Sequence, residues 1–267
     1  MSLGFHSPYK KNMTNAILFT IIFAVIQFFT STAFIAVSRL LGGDGTLTTD
    51  MRILSASAAS LITIIVFCMT HLAQPTRHYI QSRPWGVLTW SVVAAIGAVV
   101  PSMWLQEQLP ELPNIVGQEQ GDIMMHRGGY FVICLLAPVA EELVFRGAVL
   151  RSLLAWKPER RWLMIALSAL LFALAHFNPA QMPHAFIIGL LLGWMYQRTG
   201  SLAPGIAYHW ANNTVAYVVF RVYPDPSLRL VDILGGQQRA VGAAVIFSLF
   251  ILLPALYQLY LRMKRAR

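Results

Sequence analysis

Charge is scarce in this chain. Asp, Glu, Lys and Arg make up 12% of its 267 residues, against about 25% in soluble domains, a shortage that excludes an ordinary water-soluble fold. Cysteine is scarcer still. Cys68 and Cys134 lie far apart within apolar runs, so they read as small buried hydrophobes rather than as a disulfide or a thiolate metal site. No internal repeat and no low-complexity linker is visible. The net charge of +9 has no separate basic domain to build a phosphate-binding face, which argues against nucleic acid as a partner.

Apolar residues are abundant, at 57% of the chain. They gather into runs near the length of about 20 residues, range about 17–25, that a hydrocarbon core demands of a helix. Eight can be marked, over about 15–37, 53–72, 85–105, 129–150, 162–176, 183–197, 202–220 and 240–261, and they predict an all-α, polytopic membrane bundle. The first is too long for the apolar core of a signal peptide, about 7–15 residues, and reads as an uncleaved span. The fifth and sixth are short, and Phe177-Asn-Pro-Ala-Gln-Met-Pro183 between them suits a broken or re-entrant pair as well as two full spans. The chain divides into N-terminal helices with an acidic loop (1–128), a polar-centred core (129–220) and a last loop, helix and basic tail (221–267).

Basic residues orient the bundle. With the N-terminus inside, the inner segments carry Lys10, Lys11, Arg77, Arg83, Arg151, Lys157, Arg160, Arg161, Arg198, Arg262, Lys264, Arg265 and Arg267, and the outer ones Arg39, Arg52, Arg127, Arg221, Arg229 and Arg239. The positive-inside rule then gives N-in, C-in. The basic tail suits an anionic inner leaflet, and the chain reads as a multi-pass protein of a bacterial inner membrane. Segment 106–128, an outer loop in this orientation, is placed to cover a site.

The polar residues inside the later spans point to chemistry. Glu141 and Glu142 stand in the middle of an apolar run, where a charge costs at least about 2.5–3.5 kcal/mol and marks a functional site by default. Arg146 follows Glu142 by four positions, on the same helical face, and neutralises it. Glu141 is turned away by about 100° and lacks a local partner; such a carboxylate can serve as general base. The bland alternative is a buried charge cluster that only locks helices together. His176 ends the fifth span, and His209 and Asn213 share one face of the seventh. Together these residues predict one polar cavity on three helices, within reach of the cytoplasmic half of the membrane. His184 reads as an interfacial histidine or part of the cavity mouth, and Asn212 is turned away by about 100° and has no assigned role. Gly189 and Gly193 form a small-residue face for close helix packing.

Glu141-Glu-x-x-x-Arg146, Phe172-x-x-x-His176 and His209-x-x-x-Asn213, in that order on apolar spans, resemble the three motifs of the CPBP family. That family holds the CAAX prenyl endopeptidases and the Abi-type bacterial membrane proteases. The resemblance covers about residues 129–220 and implies an intramembrane endopeptidase. It implies that Glu141 activates water, His176 assists, His209 and Asn213 stabilise the oxyanion, and Glu142 and Arg146 orient the site. The implied partners are a peptide or protein substrate, membrane-bound or prenylated, and the lipid bilayer itself.

Two mechanisms fit these residues. Glu141, His176 and His209 would make a zinc set with a position left for water, yet no His-Glu-x-x-His helix is present, and a metal-free glutamate mechanism uses the same side chains. The expectation is no cofactor, with zinc as the alternative. Two other function classes compete: a secondary transporter, disfavoured by the lack of a repeat, and a non-catalytic scaffold or bacteriocin-immunity protein, disfavoured because Glu141, His176, His209 and Asn213 are all kept together.

Overall fold

The computed structural model describes residues 12–73, 77–225 and 227–264, and among them helices, turns and loops occur but no strand. α1 (Met13–Leu40) opens on Asn12, whose side-chain oxygen accepts the Asn15 N–H at 2.9 Å, and α2 (Thr49–Met69) on Thr48, which accepts the Met51 N–H at 3.3 Å. Each cap satisfies one of the first N–H groups that a helix leaves unpaired. The short α3 (Arg77–Gln81) leads to α4 (Trp85–Glu107), and α5 (Gly117–Met125) lies within the acidic segment.

α1 shows why the chain needs a membrane. Ala16, Phe19 and Phe23 recur at helical spacing and are buried against the protein. Ile21, Phe28 and Phe29 on its other sides are 51%, 67% and 65% exposed. Apolar surface of this extent is stable against hydrocarbon and not against water. By length and composition α1, α2, α4 and α11 (Gln238–Arg262) can cross a bilayer, and the protein is a helical membrane protein.

The remaining predicted runs also fall on helices. α6 is a continuous run over 129–156 in which an α segment, Ala137–Val144, is flanked by π turns at Phe131–Leu136 and Phe145–Leu150 and followed by Arg151–Trp156. α7 (Arg161–Leu174) and α8 (Met182–Thr199) form a hairpin, and α9 (Ala203–Val222) and the short α10 (Leu230–Ile233) precede α11. α7 is short, as the run over 162–176 suggested: its 14 residues rise about 21 Å, against about 30 Å of hydrocarbon. The hairpin is tight where the small-residue face was expected. A Cβ on Gly189 would lie 2.9 Å from Ala169 Cβ, and one on Gly193 2.8 Å from Ile165 Cγ2.

Two large apolar cores form among the described residues, with a small third cluster at Met124, Cys134 and Tyr217. One joins α1, α2, α6 and α7 around Phe19, Phe67, Phe145 and Phe172; the other joins α4, α8, α9 and α11 around Ala94, Leu192, Tyr208 and Leu259. α6 contributes to the first and α9 to the second, so polar side chains on their facing sides meet at the seam.

Candidate functional site

Glu142 and Arg146 are fully buried, with Arg146 Nη1 2.8 Å from Glu142 Oε1. The expected pairing is present, and the guanidinium is further held by the Gly189 carbonyl, 3.4 Å from Nη2, and by the face of Phe172, 4.4 Å from Cζ. A buried cation needs such partners, since removing it from water costs several kcal/mol, of order. The second carboxylate oxygen, Glu142 Oε2, has no hydrogen-bond partner. It lies where a Cβ on Gly205 would approach to 2.7 Å, so glycine at that position of α9 is what lets the helix pass the carboxylate.

His209 spans both glutamates. Its Nδ1 is 3.3 Å from Glu142 Oε1 and its Nε2 is 3.7 Å from Glu141 Oε2. Nδ1 donates, because the carboxylate paired with Arg146 can only accept. The Nε2 separation is just beyond hydrogen-bond reach. The Glu141 side chain is 20% exposed, whereas Glu142 is sealed. The first glutamate therefore faces the cavity and the second supports it.

His176 lies two residues beyond α7, in the turn, rather than on the helix. Its Nδ1 is 2.9 Å from the Phe172 carbonyl. A carbonyl only accepts, so Nδ1 carries the hydrogen and a neutral ring keeps its lone pair at Nε2. Phe172 stands edge-on to both imidazoles, with centroids 4.8 Å from His176 and 6.0 Å from His209. This fully packed ring fixes the two histidines and the arginine at once.

Asn213 reaches back to α6, where its Nδ2 donates to the Ile133 carbonyl at 3.0 Å. The π turn explains why that carbonyl is available. Ala137 N–H bonds to Val132 O at a five-residue spacing; the same spacing assigns Ile133 O to residue 138, a proline without an N–H. Asn213 fills the vacancy. Asn212, expected to face away, is buried and donates from Nδ2 to Asn213 Oδ1 at 3.3 Å. It orients the neighbouring amide. Phe172, which the Phe172-x-x-x-His176 motif already named, Gly205 and Pro138 also support the site without carrying charge; the i, i+4 spacing to His209 is the signal that could have flagged Gly205.

Glu141, His176, His209, Asn212 and Asn213 line one cavity of about 460 Å³. Its far wall includes Gln106, Glu119 and Gln120, so segment 106–128 does cover the site. Asn178 ties it to the α7–α8 turn, donating to Asn114 Oδ1 at 2.8 Å and accepting the Ile115 N–H at 3.1 Å. His184 lines the cavity too. The cavity lies at the end of the bundle that bears segment 106–128.

The zinc set is not assembled. Among the described residues no three His, Cys, Asp or Glu side chains converge as metal ligands, and both His209 nitrogens face carboxylates. The residues present do not fit the ion.

A helical membrane protein with a buried Glu–Arg pair, a partly exposed glutamate and two histidines around one cavity is the class that these features define. Residues 127–215 match the family described as type II CAAX prenyl endopeptidase Rce1-like. That match supports the CPBP family, as the three motifs suggested, and a CAAX-protease-like membrane protein. Comparisons with curated proteins and with solved structures found no match.

Proposed function

We propose that this protein is an intramembrane endopeptidase that hydrolyses peptide bonds by a metal-free mechanism. The observation that carries the reading is the His209 ring set between Glu141 and Glu142 in a cavity shared with His176 and Asn213. Glu141 takes a proton from water held beside His176 Nε2, and the water oxygen attacks the peptide carbonyl. The carbonyl oxygen becomes an oxyanion, which His209 Nε2–H and the Asn213 amide stabilise; such donors are worth about 2.7–4 kcal/mol. Glu141 then passes its proton to the departing amine. A carboxylate lies beside each ring nitrogen of His209 and can accept a hydrogen from it.

In this reading eight helices lie in the membrane N-in and C-in, with the short α7 ending at the depth of Glu141. With the cavity mouth at segment 106–128, the substrate is a peptide or membrane protein segment reached from the outer side of a bacterial inner membrane. A prenylated substrate would have to be presented there. Purified protein in lipid nanodiscs, incubated with a quenched-fluorescent peptide library, tests the reading. The expected result is cleavage by the wild type that 1,10-phenanthroline leaves unchanged and that Glu141→Gln abolishes while remaining folded. Wild-type turnover by Glu141→Gln, or no cleavage of any peptide, would overturn it.

A further inference from the structure

Glu141 and His176 have cavities on both sides. Across from the polar cavity they line, with Phe172, a second one of about 300 Å³ whose opposite wall is α1, through Phe23 and Gln27. Between Asn15 and Arg39, Gln27 is the one α1 side chain that is charged or carries an amide. An amide in the middle of a spanning helix is expensive to keep unless its groups are used.

Half of this amide is accounted for. Gln27 Nε2 lies 3.4 Å from Thr63 Oγ1 on α2, and Thr63, fully buried, donates its own hydrogen to the Ala59 carbonyl at 2.8 Å. Thr63 can therefore only accept from Gln27. That contact sets the orientation of the amide and leaves Gln27 Oε1 without a hydrogen-bond partner among the described residues, beside Glu141 and His176. An extended peptide entering a dry site brings backbone N–H groups that must each find an acceptor.

We propose that Gln27 is a substrate-binding residue: its Oε1 accepts a backbone N–H next to the scissile bond, with the substrate segment in the cavity between α1, α6 and α7. The scissile carbonyl passes Glu141 into the polar cavity, where His209 and Asn213 receive its oxygen and water is held beside His176. This assignment rests on the endopeptidase reading above.

The test is a cycle between enzyme and substrate. The reporter peptide cleaved by the wild-type protein is assayed with Gln27→Met, and again after N-methylation of each amide flanking the scissile bond in turn. Gln27→Met should raise KM about five- to tenfold with kcat unchanged, the pattern of lost uniform binding by one hydrogen bond. At one methylated position the wild type should lose by the same factor and Gln27→Met should lose nothing more. Thr63→Val, which frees the amide without removing it, should raise KM by a smaller factor. An unchanged KM in Gln27→Met, or additive losses at every methylated position, would overturn the assignment. Cleavage by Glu141→Gln would instead defeat the endopeptidase reading, so the two failures are told apart.

Discussion

His209 Nδ1 lies 3.3 Å from Glu142 Oε1, which makes a fully buried carboxylate the common partner of a histidine on α9 and an arginine on its own helix. Glu142→Gln weakens both contacts by removing the negative charge and leaves Arg146 buried without its counter-charge. Removing one member of a buried pair costs about 3–5 kcal/mol, whereas an apolar replacement of both is close to neutral. Thermal unfolding in detergent should show a large loss of stability for Glu142→Gln and recovery of most of it in Glu142→Gln/Arg146→Met. Equal stability of wild type and single variant would remove Glu142 from its structural role.

Gly205 passes the same carboxylate from the other side. Gly205→Ala places a methyl 2.7 Å from Glu142 Oε2, so either α9 or the carboxylate shifts, at about 1–3 kcal/mol for an overpacked site. The variant should unfold at lower temperature and lose turnover, because His209 moves with α9. Gly242→Ala, where nothing lies within 4 Å of the added Cβ, serves as the control and should match the wild type in both.

In the proposed reaction His176 and His209 serve one cavity, and both rest against Phe172. Each alanine variant should lower kcat by at least about a hundredfold, and the double variant should cost far less than the product of the two. Multiplying effects in the double variant would assign them separate roles. Steady-state rates on the reporter peptide decide between these outcomes.

Orientation is open to labelling. On a background lacking Cys68 and Cys134, an impermeant thiol reagent added outside intact cells should modify Glu111→Cys and spare Lys157→Cys and Lys264→Cys. Labelling of Lys157→Cys from outside would invert the bundle and put the cavity mouth on the cytoplasmic side.

Much of the site was legible because a bilayer makes polar residues conspicuous. Glu141, Glu142, Arg146, His176, His209 and Asn213 stood out against apolar surroundings, and a four-residue spacing on an α-helix was enough to predict the Glu142–Arg146 pair. The supporting groups carried no such contrast. Gly205 looks like any glycine on an apolar helix, and Gln27 lies more than a hundred positions from Glu141, whose cavity it shares.

Sequence alone determined the membrane class, the helical runs and the charged and polar side chains available for catalysis, since each follows from local composition and helical periodicity. Tertiary structure decided which of these side chains meet and from which side they are reached. The extra residue of a π turn, the missing N–H of Pro138 and the 14-residue length of α7 each move a side chain relative to an ideal helix. Whether Asn213 finds a carbonyl and whether His176 reaches the level of Glu141 depend on how separate helices pack, and no local pattern encodes that.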